Sequence, residues 1–416
     1  MTASATPEDI FAAAMTGRAP ARLGLAVSGG GDSIALLHLA HAWGRAAGVG
    51  LSAVTVDHGL RPEAATEARF VAEICARLGV AHDTLRWTGW DGRGNLQAAA
   101  RAARYRLMAG WAHERGIGAI ALGHTMDDQA ETFLMRLARG SGPDGLSGMA
   151  ASHRRDAMIW LRPLLDLRRD ALRAWLGQHG QGWIDDPSNR DRRFDRVRVR
   201  QALDGMRDIG LTVEGLAETC TRMAMTRAAL DHLACETARS TGVIDRGDLL
   251  FDSAGLDASP RETRLRLLAA ALCWVASAEY RPRLAALETA LDAALSGRRR
   301  SLHGCLLTPD GPRLRISREP AAVRDTRAAP DRPWDTRWRF FGPKINGVQL
   351  RALGETGLAC CKGWRETGLP RASLLASPAV WRGDELIAAP LAGHCNGWRA
   401  ELTPPAEAVL QAIISH

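Results

Sequence analysis

The sequence predicts an α/β fold in its first half, with a parallel sheet that carries helices on both faces. Two observations predict this class. Between residues 23 and 161, apolar strand-like runs alternate with helical runs, which is the pattern of such sheets. A glycine-rich loop, residues 28–33, also follows the first apolar run directly. Ligands of open parallel sheets bind at the carboxyl ends of the strands, so we expect the functional site there.

Each element of this half is predicted from its hydrophobic pattern. Short apolar runs predict strands near residues 23–27, 51–56, 81–85, 118–122 and 158–161. Helical periodicity predicts helices from residue 34 onwards and over residues 63–79, 97–116 and 127–139. The first strand, the glycine loop and the first helix therefore form one strand–loop–helix unit.

The alternation stops near residue 211, which predicts a different second half. Helical periodicity covers residues 213–240, 261–276 and 281–295, and residues 301–317 predict a hairpin that turns at residues 309–311. A linker is expected over residues 323–334, and the remainder predicts a small β-rich domain. We therefore expect an α/β domain at 1–210, a helical domain with a terminal hairpin at 211–322, and a third domain at 335–416.

The composition describes a basic, multidomain chain of 416 residues. Its 54 basic and 46 acidic residues give a net charge of +8, which favours a polyanionic partner. Almost all basic residues are arginines, although a GC-rich genome would produce the same bias. The eight cysteines are scattered without a C-x-x-C pair, as in reduced proteins. No leader pattern and no apolar run of about 18 residues occurs, so we expect a cytoplasmic protein without a membrane segment.

The glycine loop has the chemistry of an anion site. It consists of six small or acidic residues: Ser28, Gly29, Gly30, Gly31, Asp32 and Ser33. Glycines bring backbone amides close to a ligand, and the start of the following helix adds free donors. Ile34 stands where the dinucleotide fingerprint needs its third glycine, and no Gly-Lys-Ser/Thr ending occurs. The alternatives are therefore a different type of phosphate loop or an ordinary glycine-rich turn.

Two further segments place polar side chains at the same edge of the sheet. Residues 57–63 follow the second strand and contain Asp57, His58 and Arg61, although a plain polar loop would look similar. In the predicted helix over 97–116, the spacing puts Gln97, Arg101 and Arg104 on one face. A solvated helix face is the alternative for these arginines.

A richer segment covers residues 121–142. His124 follows a predicted strand, and the next helix opens with Asp127 and Asp128 and carries Glu131 one turn later. Acids in a first helical turn suit the helix dipole, but carboxylates beside a phosphate loop also suit Mg²⁺. Both explanations remain open. Gly140 and Gly142 end this helix and, together with Arg139, give a flexible basic turn.

The most basic stretch is residues 185–200. If it is helical from about residue 191, Arg192, Arg196 and Arg200 lie along one stripe. Such a stripe could follow a nucleic-acid backbone, where each phosphate contact adds salt-sensitive affinity. The alternative is a solvated face that is neutralised by the aspartates of the same stretch.

Taken together, these motifs resemble those of a known family. Residues 28–33 resemble the SGGxDS loop of the N-type ATP pyrophosphatases, the PP-loop superfamily. Within it, "DHGLR", the helix over 97–105, "LGHTMDDQAET", "RGSGPDGLSGM", "RPLL" and "DPSN" are similar, in order, to segments of the tRNA(Ile)-lysidine synthetases. The resemblance covers about residues 20–205. Thr125 and Val197 depart from it, since family members usually carry histidine and asparagine there.

The resemblance implies an ATP-dependent ligase. Such enzymes attach free lysine to the wobble cytidine of the CAU-anticodon tRNA(Ile) through an adenylated cytidine, and they release AMP and pyrophosphate. ATP and Mg²⁺ are the implied cofactors, and tRNA and lysine are the implied substrates, with tRNA contacts also in the two C-terminal domains. The pattern does not indicate whether the chain pairs with itself.

The resemblance also implies roles for residues of these motifs. The catalytic set is Asp32, Arg101, Arg104, His124, Asp127 and Asp128. Residues 28–33 and His58 would contact the nucleotide, and Asp32 would hold Mg²⁺. The tRNA-binding set is Arg61, Arg139, Arg192, Arg196 and Arg200. Three rivals are a tRNA thiolation enzyme, a small-molecule ligase and a non-catalytic RNA-binding protein; the first is disfavoured because Cys75 is the only cysteine before residue 220.

Overall fold

The structure is a computed structural model, and it describes residues 5–18, 20–59, 64–88, 90, 96–155, 157–185, 193 and 195–403. The chain divides into two compact units, residues 1–227 and 228–416. Within the described residues, no helix combines the length and the apolar character needed to cross a membrane. The three domain boundaries expected from the sequence remain predictions.

The first unit is built on a six-stranded sheet. Its strands are β1 (Arg22–Ala26), β2 (Gly50–Asp57), β3 (Ala81–Arg86), β4 (Ala119–Leu122), β5 (Ser152–Arg155) and β6 (Met158–Leu161). The order is β3-β2-β1-β4-β6-β5, and every neighbouring pair is parallel except β5 with β6. The predicted parallel sheet is thus confirmed. Strand β5 was not predicted, because its sequence is polar and it lies at an edge.

Helices cover both faces of this sheet, as predicted. They are α1 (Pro7–Met15), α2 (Gly31–Ala47), α3 (Ala64–Leu78), α4 (Leu96–Glu114), α5 (Met126–Leu137), α6 (Pro143–Leu146), α7 (Arg169–Gln178) and α8 (Asp195–Gly205). Successive strand residues point to opposite faces. Leu25 of β1 accordingly packs in one apolar core with Leu36 of α2, and Ala26 packs in the other with Met108 of α4. Burial on both faces explains the continuous apolar runs of the central strands.

The second half begins as predicted with helices but contains an additional sheet. The elements are α9 (Val213–Thr241), β7 (Gly242–Asp245), β8 (Asp248–Asp252), α10 (Ser253–Ala258), α11 (Arg261–Ala276), α12 (Leu284–Leu295), β9 (Arg300–Leu302), β10 (Cys305–Asp310) and β11 (Arg313–Arg318). The predicted hairpin is β10–β11. It belongs to a five-stranded sheet in the order β7-β8-β11-β10-β9, so the expectation of a purely helical region with one hairpin was incomplete.

The C-terminal part is β-rich, as predicted. It contains α13 (Pro320–Val323), β12 (Arg327–Ala328), β13 (Trp338–Phe341), β14 (Gln349–Ala352), α14 (Gly354–Cys360), α15 (Arg371–Leu375), β15 (Pro378–Arg382), β16 (Glu385–Ala388) and β17 (Arg399–Leu402). The linker expected over 323–334 is wrong. Strand β12 lies inside it and pairs with β14, and the fully buried Trp334 packs into the same core as Leu350.

Candidate active site

The glycine loop joins β1 to α2 at the carboxyl edge of the sheet. Gly29 has a φ of +91°, a conformation that L side chains rarely adopt, and its carbonyl accepts a hydrogen bond of 2.9 Å from the Ile184 amide. Gly30 caps α2 without a side-chain hydrogen bond. The first amides of a helix have no partner within it, so these donors are open to an anion.

The two serines of the loop have different positions. The buried Ser33 hydroxyl donates to the Gly30 carbonyl at 2.9 Å and accepts from the Ser28 amide at 3.1 Å, so it holds the loop in shape. Ser28 is exposed, with its hydroxyl 3.3 Å from that of Ser33. Ser28 is therefore the better placed of the two to contact a ligand.

The end of β4 lies directly against this loop. A Cβ atom on Gly123 would stand 3.1 Å from the Asp32 carbonyl oxygen and 3.2 Å from the Ser33 Cα, which is tighter than ordinary contact. Glycine at this position thus lets β4 approach the start of α2. No sequence pattern pointed to Gly123, although it precedes the predicted site residue His124.

A largely buried arginine contacts three acids of the site. The guanidinium of Arg169, the first residue of α7, donates to three carboxylates: Asp32 Oδ2 at 3.0 Å, Asp128 Oδ1 at 3.3 Å and Glu131 Oε1 at 3.2 Å. We call these four residues the acid cluster. Arg169 was missed by the sequence analysis. One signal could have indicated such a residue: acids that are predicted at one edge of the sheet need a cationic partner when they are buried.

Two carboxylate oxygens of the acid cluster are buried without a hydrogen-bond partner, Asp32 Oδ1 and Glu131 Oε2. Burial raises the pKa of Asp32 above its ordinary value, although the Arg169 charge acts in the opposite direction. Burial acts in the same sense on Asp128, but Arg169 and the Thr125 amide outweigh it and hold the pKa of Asp128 below its usual range. The cluster thus keeps an ionised acid beside two spare acceptors.

Helix capping and ion pairing both act on the first turn of α5. The Asp128 Oδ2 atom accepts from the Thr125 amide at 2.9 Å and from its hydroxyl at 3.1 Å, which completes a capping box. Asp127 Oδ2 accepts from the Arg169 amide at 2.7 Å and lies 3.4 Å from Arg168 Nε. The departure at Thr125 therefore has a structural role, because its side chain holds Asp128.

A cavity of about 270 Å³ lies at the same edge. Its lining includes His58, Gln97, Arg101, Arg104, Tyr105 and His124. Burial, assisted by neighbouring arginines, lowers the pKa of His124 to about 3, and burial with Arg104 lowers the pKa of His58. Near neutral pH these imidazoles are uncharged, while the arginines are cationic. Four of the predicted site residues thus lie together in one cavity, which suits an anionic or polar ligand: His58, Arg101, Arg104 and His124.

The basic residues predicted to bind nucleic acid are only partly described. Arg61 and Arg192 lie outside the described residues. Helix α8 begins at Asp195, whereas the sequence had predicted a start near residue 191. Arg196 and Arg200 stand one turn apart on α8, and Arg200 Nε lies 2.9 Å from Glu131 Oε1, so Arg200 contacts the acid cluster. Arg139 is exposed and lies 3.5 Å from Asp195. Among the described residues, no group of three or more His, Cys, Asp or Glu side chains could hold a metal ion alone.

The chain is similar to known proteins over nearly its whole length. A PP-loop domain family model matches residues 5–205. A tRNA(Ile)-lysidine synthase of Ruegeria pomeroyi is 47% identical over 397 residues, which cover 95% of each chain. A tRNA(Ile)-lysidine synthase of Bradyrhizobium diazoefficiens is 42% identical over 74% of this chain and 92% of its own length. A third, from Mesorhizobium japonicum, is 38% identical over 88% of this chain and 83% of its own.

The PP-loop family model covers the motifs of the first unit, and the Ruegeria match, at 95% of the chain, must extend over most of both units. The motifs of the sequence resemblance lie within about residues 20–205, whereas the Ruegeria relative matches 95% of the chain. This chain belongs to the tRNA(Ile)-lysidine synthase family.

Proposed function

We propose that this protein attaches lysine to the wobble cytidine of the CAU-anticodon tRNA(Ile), in a reaction that uses ATP and forms lysidine, AMP and pyrophosphate. One observation of the structure carries the proposal: an anion-binding glycine loop and a buried acid cluster with two spare acceptors meet at one edge of the sheet. The loop suits the polyphosphate of ATP. The cluster suits the cations that such a reaction must hold.

In the first step, the cytosine carbonyl oxygen attacks the α-phosphorus of ATP, and the bond to pyrophosphate breaks. Negative charge builds up on the departing pyrophosphate, where the free amides at the start of α2 and the Ser28 hydroxyl would stabilise it. We place Arg101, Arg104 and His124 around the α-phosphate or the cytosine, because they line the cavity at this edge. His58 lines the same cavity and would contact the nucleotide.

In the second step, the lysine ε-amine attacks the ring carbon that carries the adenylate. The carbon–nitrogen bond forms, the carbon–oxygen bond to AMP breaks, and the proton that the nitrogen loses passes to water. An ammonium group is most stable beside ionised carboxylates. We therefore assign the orientation of lysine to Asp127 and Asp128, with Glu131 added because its Oε2 atom is buried and unpartnered.

The residues present fit a magnesium ion beside the nucleotide. Mg²⁺ prefers oxygen ligands and usually combines one or two carboxylates with phosphates and water. Asp32 Oδ1 is such an oxygen, buried without a partner at the first turn of α2. A bound Mg²⁺ would neutralise charge on the phosphates as pyrophosphate leaves. Asp32 would hold it, while Arg169 keeps the other oxygen of this carboxylate in place.

The tRNA would be held mainly through its phosphates. The net charge of +8 favours a polyanion, and we assign the backbone contacts of the first unit to Arg61, Arg139, Arg192, Arg196 and Arg200. We assign further tRNA contacts to the predicted domains at 211–322 and 335–416. A cytoplasmic location follows from this substrate.

The test is incorporation of radiolabelled lysine. Purified full-length protein, ATP and Mg²⁺ are incubated with tRNA(Ile) that carries CAU, and with the same tRNA carrying GAU as the matched control. We expect lysine to become covalently attached only to the CAU transcript, because the control lacks the wobble cytidine. Failure to label the CAU transcript, or transfer of sulfur instead of lysine, would contradict the proposal.

The Asp32→Asn variant tests the site within the same assay. It keeps the shape of the side chain and removes the charge, so we expect lysine transfer to fall by a factor of ~10² to 10³, the usual loss for one preorganised electrostatic group. Circular dichroism should show an unchanged fold. A variant that transfers lysine at the normal rate would show that Asp32 has been assigned the wrong role.

A further inference from the structure

We infer that Arg169 is the positioning residue of the active site, which holds Asp32, Asp128 and Glu131 in one fixed arrangement for both steps of the reaction. This inference rests on the proposed function. No motif pointed to Arg169, and it follows from the contacts of a single side chain.

The geometry of the guanidinium supports this role. Each of its three nitrogens donates to a different carboxylate: Nε to Asp32, Nη1 to Glu131 and Nη2 to Asp128, at 3.0 to 3.3 Å. Arginine presents these donors in a rigid plane, so the three carboxylates are fixed relative to one another. A flexible ammonium group would neutralise charge without fixing this arrangement.

The backbone around Arg169 is itself anchored. Its amide donates to Asp127 Oδ2 at 2.7 Å, and the Met126 amide donates to the Leu167 carbonyl at 2.9 Å, so the starts of α5 and α7 are tied together. Leu172 and Leu176 of α7 are fully buried in the same core as α2, the helix that carries Asp32. The guanidinium therefore has little freedom to move relative to the acids that it holds.

The atoms that Arg169 leaves free show what it positions. For Asp32 and Glu131, one oxygen is anchored by the guanidinium and the other is buried without a partner. Because each guanidinium nitrogen of Arg169 donates a hydrogen bond to one of the acids, Arg169 acts through these acids and not directly on the substrates. Asp32 lies beside the nucleotide loop and Glu131 lies on α5, so a change at Arg169 should affect both the adenylation and the lysine transfer.

The experiment compares Arg169→Ala and Arg169→Lys with the wild type. Formation of adenylated tRNA without lysine measures the first step. Attachment of labelled lysine at varied ATP concentration measures kcat of the whole reaction and its KM for ATP. Arg115→Ala is the control, since Arg115 pairs with Asp83 at 2.7 Å, away from the acid cluster. Thermal unfolding midpoints are recorded for every variant.

We expect Arg169→Ala to lower kcat of both steps at least ~10²-fold, the size expected for small misplacements of reacting groups. KM for ATP should stay within about threefold, because the loop amides are unchanged. Arg169→Lys should restore the unfolding midpoint, because it restores the charge, but it should leave kcat at least ~10-fold low, because an ammonium group cannot bridge three carboxylates in one plane.

Two results would overturn the inference. One is a normal rate of lysine attachment by the Arg169→Ala variant. The other is full recovery of kcat in the Arg169→Lys variant, which would show that Arg169 only neutralises charge. If Arg169→Ala does not fold, the lysine variant alone decides. A wild-type protein that fails to attach lysine would instead contradict the proposed function, so the two failures are distinguishable.

Discussion

Each unit of the molecule buries an arginine among three acids, and the two sites are built alike. In the first unit, Arg169 pairs with Asp32, Asp128 and Glu131 at 3.0 to 3.3 Å. In the second, Arg315 of β11 pairs with three aspartates at the ends of neighbouring strands: Asp245 of β7 at 3.0 Å, Asp248 of β8 at 2.9 Å and Asp310 of β10 at 2.7 Å. Both arginines are largely buried.

The two sites differ in the atoms that are left over. In the second, the Ser373 hydroxyl donates to Asp248 Oδ2 at 2.6 Å, and among the described residues no side-chain atom of Arg315 or its acids is buried without a partner. In the site of the first unit, the Asp32 Oδ1 and Glu131 Oε2 atoms are buried without a hydrogen-bond partner. An unsatisfied buried polar group costs about 1 to 3 kcal/mol. The second site is therefore satisfied by the protein alone, as a structural cluster is, whereas the first site keeps buried acceptors for a ligand.

The largest expected effect that tests this comparison is on stability. Arg315→Ala would leave Asp245, Asp248 and Asp310 without their shared cation. We expect the free energy of unfolding to fall by about 3 to 5 kcal/mol, as is usual when one partner of a buried ion pair is removed. Denaturant unfolding monitored by circular dichroism measures it.

The matched control is Arg313→Ala, two residues earlier on β11 and exposed. Its unfolding free energy should change by less than about 0.5 kcal/mol, as for most surface positions. Equal effects of the two substitutions would show that the Arg315 cluster is not structural, and the contrast with the acid cluster of the first unit would be lost.

A smaller effect concerns the pH dependence of stability in the second unit. Burial raises the pKa of Asp248 to about 6, although Ser373 and Arg315 act against it. The folded state therefore takes up a proton at a higher pH than the unfolded state does. The contribution of this group to stability rises as the pH falls from 7 to 5, by about 1 kcal/mol.

Asp248→Asn removes this titration and keeps the shape of the side chain. We expect the wild type to gain stability relative to the variant between pH 7 and pH 5, when both are compared by thermal unfolding. Other titrating groups cancel in this difference because both proteins contain them. A difference that does not change with pH would mean that Asp248 titrates as an exposed aspartate does.

The parts of the fold that were predictable are those with local signals. Strands β1 and β4 are buried on both faces, so their sequences are continuous apolar runs. Strand β5 is polar and at an edge, and β12 has only two residues, so neither produces a hydrophobic pattern. The β7–β8 hairpin turns at Arg246 and Gly247, both with positive φ, and a lone glycine after a long helix was too weak a signal.

The site divides in the same way. The glycine loop and the histidine and arginines of the cavity were predictable, since each follows a strand or shares one helix face. Arg169 was not, because its partners lie 137, 41 and 38 residues away in the sequence. Such contacts exist only once α7 packs beside α2 and α5. The different contacts of the two aspartates also depend on that packing, since Asp127 binds the Arg169 amide and Asp128 binds its guanidinium.

The smallest expected effect concerns the border between the acid cluster and the tRNA-binding arginines. Arg200 is anchored to Glu131 at 2.9 Å, whereas the ion pair that Arg139 makes within the described part of the chain is with the exposed Asp195 at 3.5 Å. An exposed pair of this kind contributes little, so Arg139 is free to exchange its partner for a phosphate. We expect Arg139→Ala to reduce the slope of log K against log salt for tRNA binding by about 0.7 to 0.9.

Arg200→Ala is the comparison within the same surface. Because its guanidinium is committed to the acid cluster, its removal should change the salt slope less than Arg139→Ala does, while lowering lysine transfer more. Filter binding of labelled tRNA at several salt concentrations measures the slopes, and the lysine assay measures the rates. If Arg200→Ala instead lowered the slope by a full phosphate contact with no loss of rate, Arg200 would belong to the RNA surface, and the acid cluster would end at Glu131.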